Sequence, residues 1–213
     1  MSQGNKTKKA RETSYHNGLQ MLSMSGNVDK IISNVTSARS KKKEVIMRII
    51  DILIGLSLKG YEGKSVGALF LIGDIEGIRR HTSQMIINPF KGWRNISILD
   101  DKQRLTFESF SQLDGAFVID SRGLAHYAGR MIHVVPDRVR DDRGFHDRRQ
   151  DRKGAGTRWR AAMFITERTK TVAVTLSNRG DITLFERGKE IGRLERRIIK
   201  IDDSKLGELI IKD

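Results

Sequence analysis

Apolar residues recur at three- and four-residue steps through SARSKKKEVIMRIIDILIGLSLKG. Val45, Ile49, Ile52, Leu53 and Leu56 line up as one face of a helix. Ser37 or Ser40 can cap its start, and Gly60 can stop it. The pattern then changes. VGALFLIGD (66–74) is a continuous apolar run between turn residues, the signature of a strand buried on both faces. LDGAFVID (113–120) repeats that signature. The turn Ser121-Arg122-Gly123 joins it to LAHYAGRMIHVV (124–135), which predicts a hairpin. TVAVTLSN (171–178), ITLFERG (182–188) and EIGRLERRII (190–199) predict a closing meander. Between these runs, IEGIRRHTSQMIINPFKGW is mixed, with a turn at Asn88-Pro89. LDDKQRLTFESFSQ (99–112) reads as a helix capped by Asp100 or Asp101, with Leu105, Phe107 and Phe110 toward the core. TRWRAAMFITERT (157–169) reads as another helix, burying Trp159, Ala162, Met163 and Ile165. The elements predict a mixed α/β (α+β) domain over residues 39–213, with a single mixed β-sheet flanked by helices. Residues 1–38 are polar and predict a flexible N-terminal tail.

Composition narrows the chemistry. The 213 residues contain no cysteine, which excludes disulfides and thiolate metal sites. The start of the chain lacks the apolar run of a signal peptide. IMRIIDILIGLSL (46–58) is too short and too charged to span a bilayer. The expectation is a soluble, cytoplasmic protein without a membrane partner. The formal net charge of +14 favours polyanions, including non-specific nucleic acid. At 6% aromatic residues, no recognisable nucleic-acid module is legible. The insert DRVRDDRGFHDRRQDRK (137–153) carries seven Lys/Arg and five Asp. It reads as a solvated loop, or as a lid or nucleic-acid contact.

No phosphate-loop, dinucleotide or nucleophile-elbow pattern occurs. The five histidines are scattered, and His126 and His133 fall on opposite faces of a predicted strand. Two constellations stand out. Asp114-Gly115-Ala116 opens a buried-type strand. A carboxylate there is costly unless it is paired or does chemistry. Gly115 and Ala116 leave backbone open to a flat ligand; an ordinary turn explains the same residues. GAGTRWRAA (154–162) opens a helix, whose first N–H groups and dipole attract anions. Thr157 adds a hydroxyl, and Arg158 and Arg160 add guanidinium charge. On a helix those two arginines diverge by about 200° and do not share one phosphate equally. A plain basic helix start is the other reading.

Five motifs in order carry a resemblance. These are Gly67-Ala68-Leu69-Phe70-Leu71-Ile72-Gly73-Asp74, Asn88-Pro89-Phe90, Asp114-Gly115-Ala116, Gly156-Thr157-Arg158-Trp159-Arg160-Ala161-Ala162 and Ser177-Asn178. Over about residues 40–195 the chain resembles the diadenylate cyclase (DAC) domain, found also at the N-terminus of the DNA integrity scanning protein. It is most similar to archaeal-type stand-alone cyclases. The resemblance implies that two ATP condense to cyclic di-AMP and pyrophosphate, with two sites meeting in a homodimer or higher oligomer. It implies Asp114 at the ribose 3′-hydroxyl, acting directly or through Mn²⁺ or Mg²⁺. Gly115 and Ala116 would line the nucleotide, with Gly129 near the adenine. Gly156, Thr157, Arg158, Arg160 and Ser177 would hold phosphates. Three features depart from the family pattern: Trp159 replaces a histidine, Asn178 replaces a frequent glutamate, and the charged insert is long. They frame an alternative, a DAC-fold protein that binds ATP or cyclic di-AMP without efficient cyclisation. A basic nucleic-acid-associated protein is a further alternative.

Overall fold

The computed structural model describes residues 20–35, 40–134 and 156–200. The insert 137–153, Gly154, Ser37 and the first nineteen residues lie outside them. The chain divides into a small unit, residues 1–22 with 198–213, and a large one, residues 23–197, which holds everything argued below. The elements are β1 (Gln20–Ser25), α1 (Val28–Ser33), α2 (Ser40–Lys59), β2 (Ala68–Ile72), α3 (Ile75–Arg80), β3 (Thr82–Gln84), α4 (Arg104–Phe110), β4 (Ala116–Ile119), β5 (Ala125–Ile132), α5 (Thr157–Arg168), β6 (Val172–Leu176), β7 (Ile182–Glu186) and β8 (Lys189–Lys200). The strand order is β1-β8-β7-β6-β2-β4-β5-β3. β2 and β4 run parallel. The remaining pairings among β2 to β8 are antiparallel, so the sheet is mixed.

Alternation along the apolar runs builds two cores. Ala68, Phe70 and Ile72 of β2 face one side, with Phe117 and Ile119 of β4. Leu69 and Leu71 face the other, with Ala116 and Val118. On the first side α2 packs Val45, Ile46, Ile49, Ile52, Leu53 and Leu56 against the sheet. Burying each such side chain contributes about 1.5–3 kcal/mol. Phe70 and Phe117 stack at 4.6 Å between ring centres. On the second side α5 packs Ala161, Ala162 and Ile165, and α3 adds Ile78.

Several details differ from the sequence pattern. Residues 1–38, expected to be a loose tail with at most short helical pieces, do hold a short capped helix, Val28–Ser33, and it is packed rather than loose. The Asn27 side chain accepts from the Lys30 N–H at 2.8 Å. Ile31, Ile32 and Val35 are buried in the first core. Six helical residues, fewer than two turns, are too short to show a period, so this face was not legible. Leu105 is exposed, whereas Phe107 is fully buried. Positions two apart on a helix point about 200° apart and cannot share a face. In α5, Phe164 takes a core position, and Trp159 and Met163 are only partly buried.

Two carboxylates organise the connections. Asp74 closes GALFLIGD at the end of the sheet away from the start of β2. Its Oδ1 accepts from the Gly77 N–H at 2.9 Å, capping α3. Its Oδ2 accepts from the Lys170 N–H at 3.3 Å, tying α3 to the α5–β6 connection. Asp120 organises the β4–β5 turn by accepting from the N–H groups of Arg122 at 2.8 Å and Leu124 at 3.0 Å. Burial pushes the Asp120 carboxyl upward. The two backbone N–H groups, the Arg122 guanidinium and His126 outweigh this and hold it below the usual range.

Asp74→Ala should cost about 1–2 kcal/mol in urea unfolding, as loss of a helix cap does. Asp120 contributes stability above the unfolded carboxylate value, near 4, and loses it as pH falls through its lower folded value. Asp120→Asn should therefore destabilise by on the order of 1 kcal/mol at pH 7. Denaturation repeated at about pH 3 should show the gap to wild type narrowing.

Candidate active site

Parallel pairing brings the starts of β2 and β4 to one end of the sheet. β6 runs antiparallel to β2, so its last residues arrive at the same end. α5 begins there too. A cleft of about 850 Å³ opens between them. Seven of the residues expected at a site line it: Asp114, Gly115 and Ala116 at the start of β4, Gly156, Thr157 and Arg158 at the start of α5, and Ser177 after β6. Gly129 and Arg160 are not in its wall.

Asp114 is exposed to the cleft. The cost of a buried carboxylate, expected from the sequence, therefore does not apply. Gly115 is demanded by its neighbours. Its φ is +97°, and a Cβ would lie 2.7 Å from the Gly129 carbonyl carbon and 2.8 Å from the Arg130 nitrogen. Gly129 has φ +71°, and a Cβ there would meet Ile86 at 2.2 Å. It lies behind Gly115, and its missing side chain makes room for Ile86. Its carbonyl accepts from the Met85 N–H at 2.9 Å.

Gly156 is the N-cap of α5, in ordinary extended backbone, and no side chain caps the helix. Among the described residues, a Cβ at Gly156 would meet nothing within 4 Å. The absent side chain thus leaves open space before the first N–H groups rather than permitting a bend. Those groups and the helix dipole favour an anion. Arg158 sits beside them, and its NH1 donates to the Asn178 Oδ1 at 3.3 Å. A Cβ on Gly67 would lie 2.3 Å from that NH1. The first glycine of GALFLIGD is therefore the hollow that receives the Arg158 guanidinium. Arg160 is on the exposed side of the first turn. Ser177 shapes the β6–β7 turn, with its Oγ accepting from the Asp181 N–H at 3.1 Å.

Trp159 lies between the two arginines but turns toward the sheet. Its ring meets Phe185 edge-on at 5.7 Å, and its Nε1 donates to Glu190 Oε2 at 3.2 Å. Among the described histidines, His133 Nε2 pairs with Ser83 Oγ at 2.9 Å and His126 lies 3.4 Å from Asp120. They do not form a metal pair, and no group of three or more His, Asp or Glu is poised for a metal among the described residues.

The structure adds cleft residues that the sequence pattern did not single out. Arg130 is buried, donating from Nε to Thr82 Oγ1 at 2.7 Å and from NH2 to the Thr82 carbonyl at 2.6 Å. Burial lowers its pKa, but a guanidinium keeps its charge. Arg179, Asp181 and Arg193 also line the cleft. Four arginines thus face two aspartates, a balance that suits an anionic ligand. The signal for the late-strand residues was polar Thr175 and Thr183 breaking otherwise apolar strands, which reads as a site only once the register is known.

A family model described as DAC, DisA bacterial checkpoint controller nucleotide-binding, matches residues 56–190. A diadenylate cyclase of Methanocaldococcus jannaschii is 32% identical over 158 residues, covering 74% of this chain and 47% of the relative. A diadenylate cyclase of Haloferax volcanii is 32% identical over 148 residues, covering 69% and 51%. The chain spans about half the length of the curated relatives it matches. Two solved structures align more distantly. A hypothetical membrane spanning protein from Bacillus cereus has a TM-score of 0.48 at 15% identity, covering 80% of this chain and 67% of that one. DacA from Staphylococcus aureus has a TM-score of 0.41 at 18% identity, covering 81% and 96%. No helix among the described residues is long and apolar enough to cross a membrane. The family match runs through β2, β4, the start of α5 and the end of β6, the segments that converge on the cleft, and the chain belongs to the DAC family of nucleotide-binding domains.

Proposed function

We propose that this protein is a diadenylate cyclase that joins two ATP into cyclic di-AMP and releases two pyrophosphates. The observation that carries the reading is one cleft holding the Asp114 carboxylate, the uncapped start of α5 and Arg158. The reaction needs those parts. A ribose 3′-oxygen attacks an α-phosphorus, a P–O bond forms, and the bond to pyrophosphate breaks as the hydroxyl proton leaves. Asp114 stands at the hydroxyl and takes the proton. The α5 N–H groups, Thr157 and Arg158 hold the phosphates and offset charge growing on the leaving pyrophosphate. Gly115 and Ala116 line the nucleotide, Gly129 makes room for Ile86 behind Gly115, and Ser177 fixes the turn at the phosphate end. Arg160 lies outside the cleft wall, so any phosphate it contacts belongs to a second nucleotide.

A divalent cation fits this donor set, because such ions take one or two carboxylates and complete their shell with substrate phosphates. Asp114 would hold it, and bound Mn²⁺ or Mg²⁺ would neutralise phosphate charge. With one ATP in each cleft, closing the ring requires a second copy to present its own. Met85, Met131 and Val134 at the cleft are 44%, 49% and 41% exposed, apolar surface that such a homodimer would cover.

Trp159 supports a second reading, binding of ATP or cyclic di-AMP without efficient cyclisation. An indole has one N–H and accepts no proton, and that N–H is already directed at Glu190.

Purified protein incubated with ATP and Mn²⁺ should yield cyclic di-AMP by chromatography, and chelation should stop it. Asp114→Asn should lower kcat by at least about a hundredfold while leaving the fold intact by circular dichroism. Absence of product from wild type, with ATP still bound in calorimetry, would select the second reading. Salt-sensitive DNA binding without nucleotide affinity would overturn both. Trp159→His should raise kcat if the histidine of the family pattern assists turnover; an unchanged rate would remove Trp159 as the cause of any weak activity.

A further inference from the structure

The cleft has a wall for which the cyclase reading above has no use. On the α5 side of the sheet, Leu69 of β2 pairs in register with Thr175 of β6. Thr175 pairs with Thr183 of β7, and Thr183 with Arg193 of β8. All four line the cleft. They form a row crossing four strands and leading away from Asp114, with buried Thr175 donating from Oγ1 to the Thr183 carbonyl at 3.4 Å and the row ending in the Arg193 guanidinium. Arg193 is held in place. Its Nε and NH2 donate to the two carboxylate oxygens of Glu190, both at 3.2 Å. Glu190 in turn accepts from the Trp159 Nε1, and Phe185 lies under both, paired with Glu190 and edge-on to Trp159. Arg193 also lies just past the stretch matched by the family model, residues 56–190.

We propose that Arg193 is a phosphate-binding residue of this cleft, taking the terminal phosphates of the nucleoside triphosphate, and that Trp159 positions it through Glu190. The assignment rests on the nucleotide reading of the cleft. From β4 to β8 is four strand spacings, about 19 Å. Asp114 marks one end of that span, and Arg158, lodged against Gly67 and Asn178, marks the middle. A triphosphate whose ribose end lies at β4 points its far phosphates past Arg158 toward the threonine row. The bonds to Glu190 use Nε and NH2, and the guanidinium still offers donors at NH1 to an anion. The carboxylate fixes the plane of the fork, which favours a directed contact over a mobile charge. Trp159 then has a task distinct from that of a histidine: it holds Glu190 rather than exchanging a proton.

Calorimetry with ATP and with AMP tests this. Arg193→Met should weaken ATP binding about tenfold, the loss of one charge-assisted contact, and leave AMP binding unchanged. Trp159→Phe keeps the ring against Phe185 but deletes the donor. It should weaken ATP alone by several-fold and add nothing when combined with Arg193→Met. Unchanged ATP affinity in Arg193→Met overturns the proposal. An equal loss for ATP and AMP also overturns it, by showing that Arg193 acts through the fold. Additive losses in the double variant remove Trp159 from the arrangement. Wild type that binds neither nucleotide sinks the cyclase reading itself, and the proposal with it.

Discussion

Parallel pairing of β2 with β4 is the constraint on which the cleft depends. Parallel strands start at the same end of a sheet, so Gly67 and Asp114 arrive together although two helices, a short strand and a long loop separate them in sequence. The antiparallel neighbour β6 then delivers its last residues, Ser177 and Asn178, to that end as well. Both strands of the pair are buried on both faces, and the Phe70–Phe117 stack at 4.6 Å ties them on the α2 side. A register slip by one residue would exchange the two faces and move Leu69 and Ala116 away from α5. The burial that stabilises the sheet also fixes where the chemistry sits.

GALFLIGD illustrates how one motif serves two ends of a strand. Its first glycine makes room for the Arg158 guanidinium at the cleft. Its last aspartate works at the opposite end, capping α3 and holding the Lys170 N–H. Near the same end, Lys42 is buried, and burial lowers its pKa against the opposing charges of Glu186 and Asp74. The site end is rich in guanidinium groups, whereas Asp74 at the far end is spent on bonds within the fold.

Glycine is used for three different reasons around the cleft. At Gly115 and Gly129 the backbone adopts positive φ, and the β5 backbone and the Ile86 side chain, respectively, come too close for a Cβ. At Gly67 the backbone is ordinary, and the missing side chain is replaced by an arginine from another element. At Gly156 the missing side chain is replaced by nothing, which leaves the helix start accessible. In sequence the four look alike. Their roles are set by what each faces across the fold.

The amino-acid sequence by itself determined the elements and the candidate chemistry. Period and continuity of apolar residues are local properties, so α2, the doubly buried strands, the β4–β5 hairpin and the closing meander were legible, as were Asp114 and the anion-attracting start of α5. Tertiary structure alone decided which residues share a wall. It put Arg158 rather than Arg160 in the cleft wall, moved Leu105 to the surface, drew residues 27–35 into the core and exposed Asp114. It also aligned Thr175, Thr183 and Arg193 across three strands and turned Trp159 toward Glu190. The reason is physical. Strand register and helix docking depend on contacts between segments far apart in the chain, and no local pattern of apolar and polar residues encodes them.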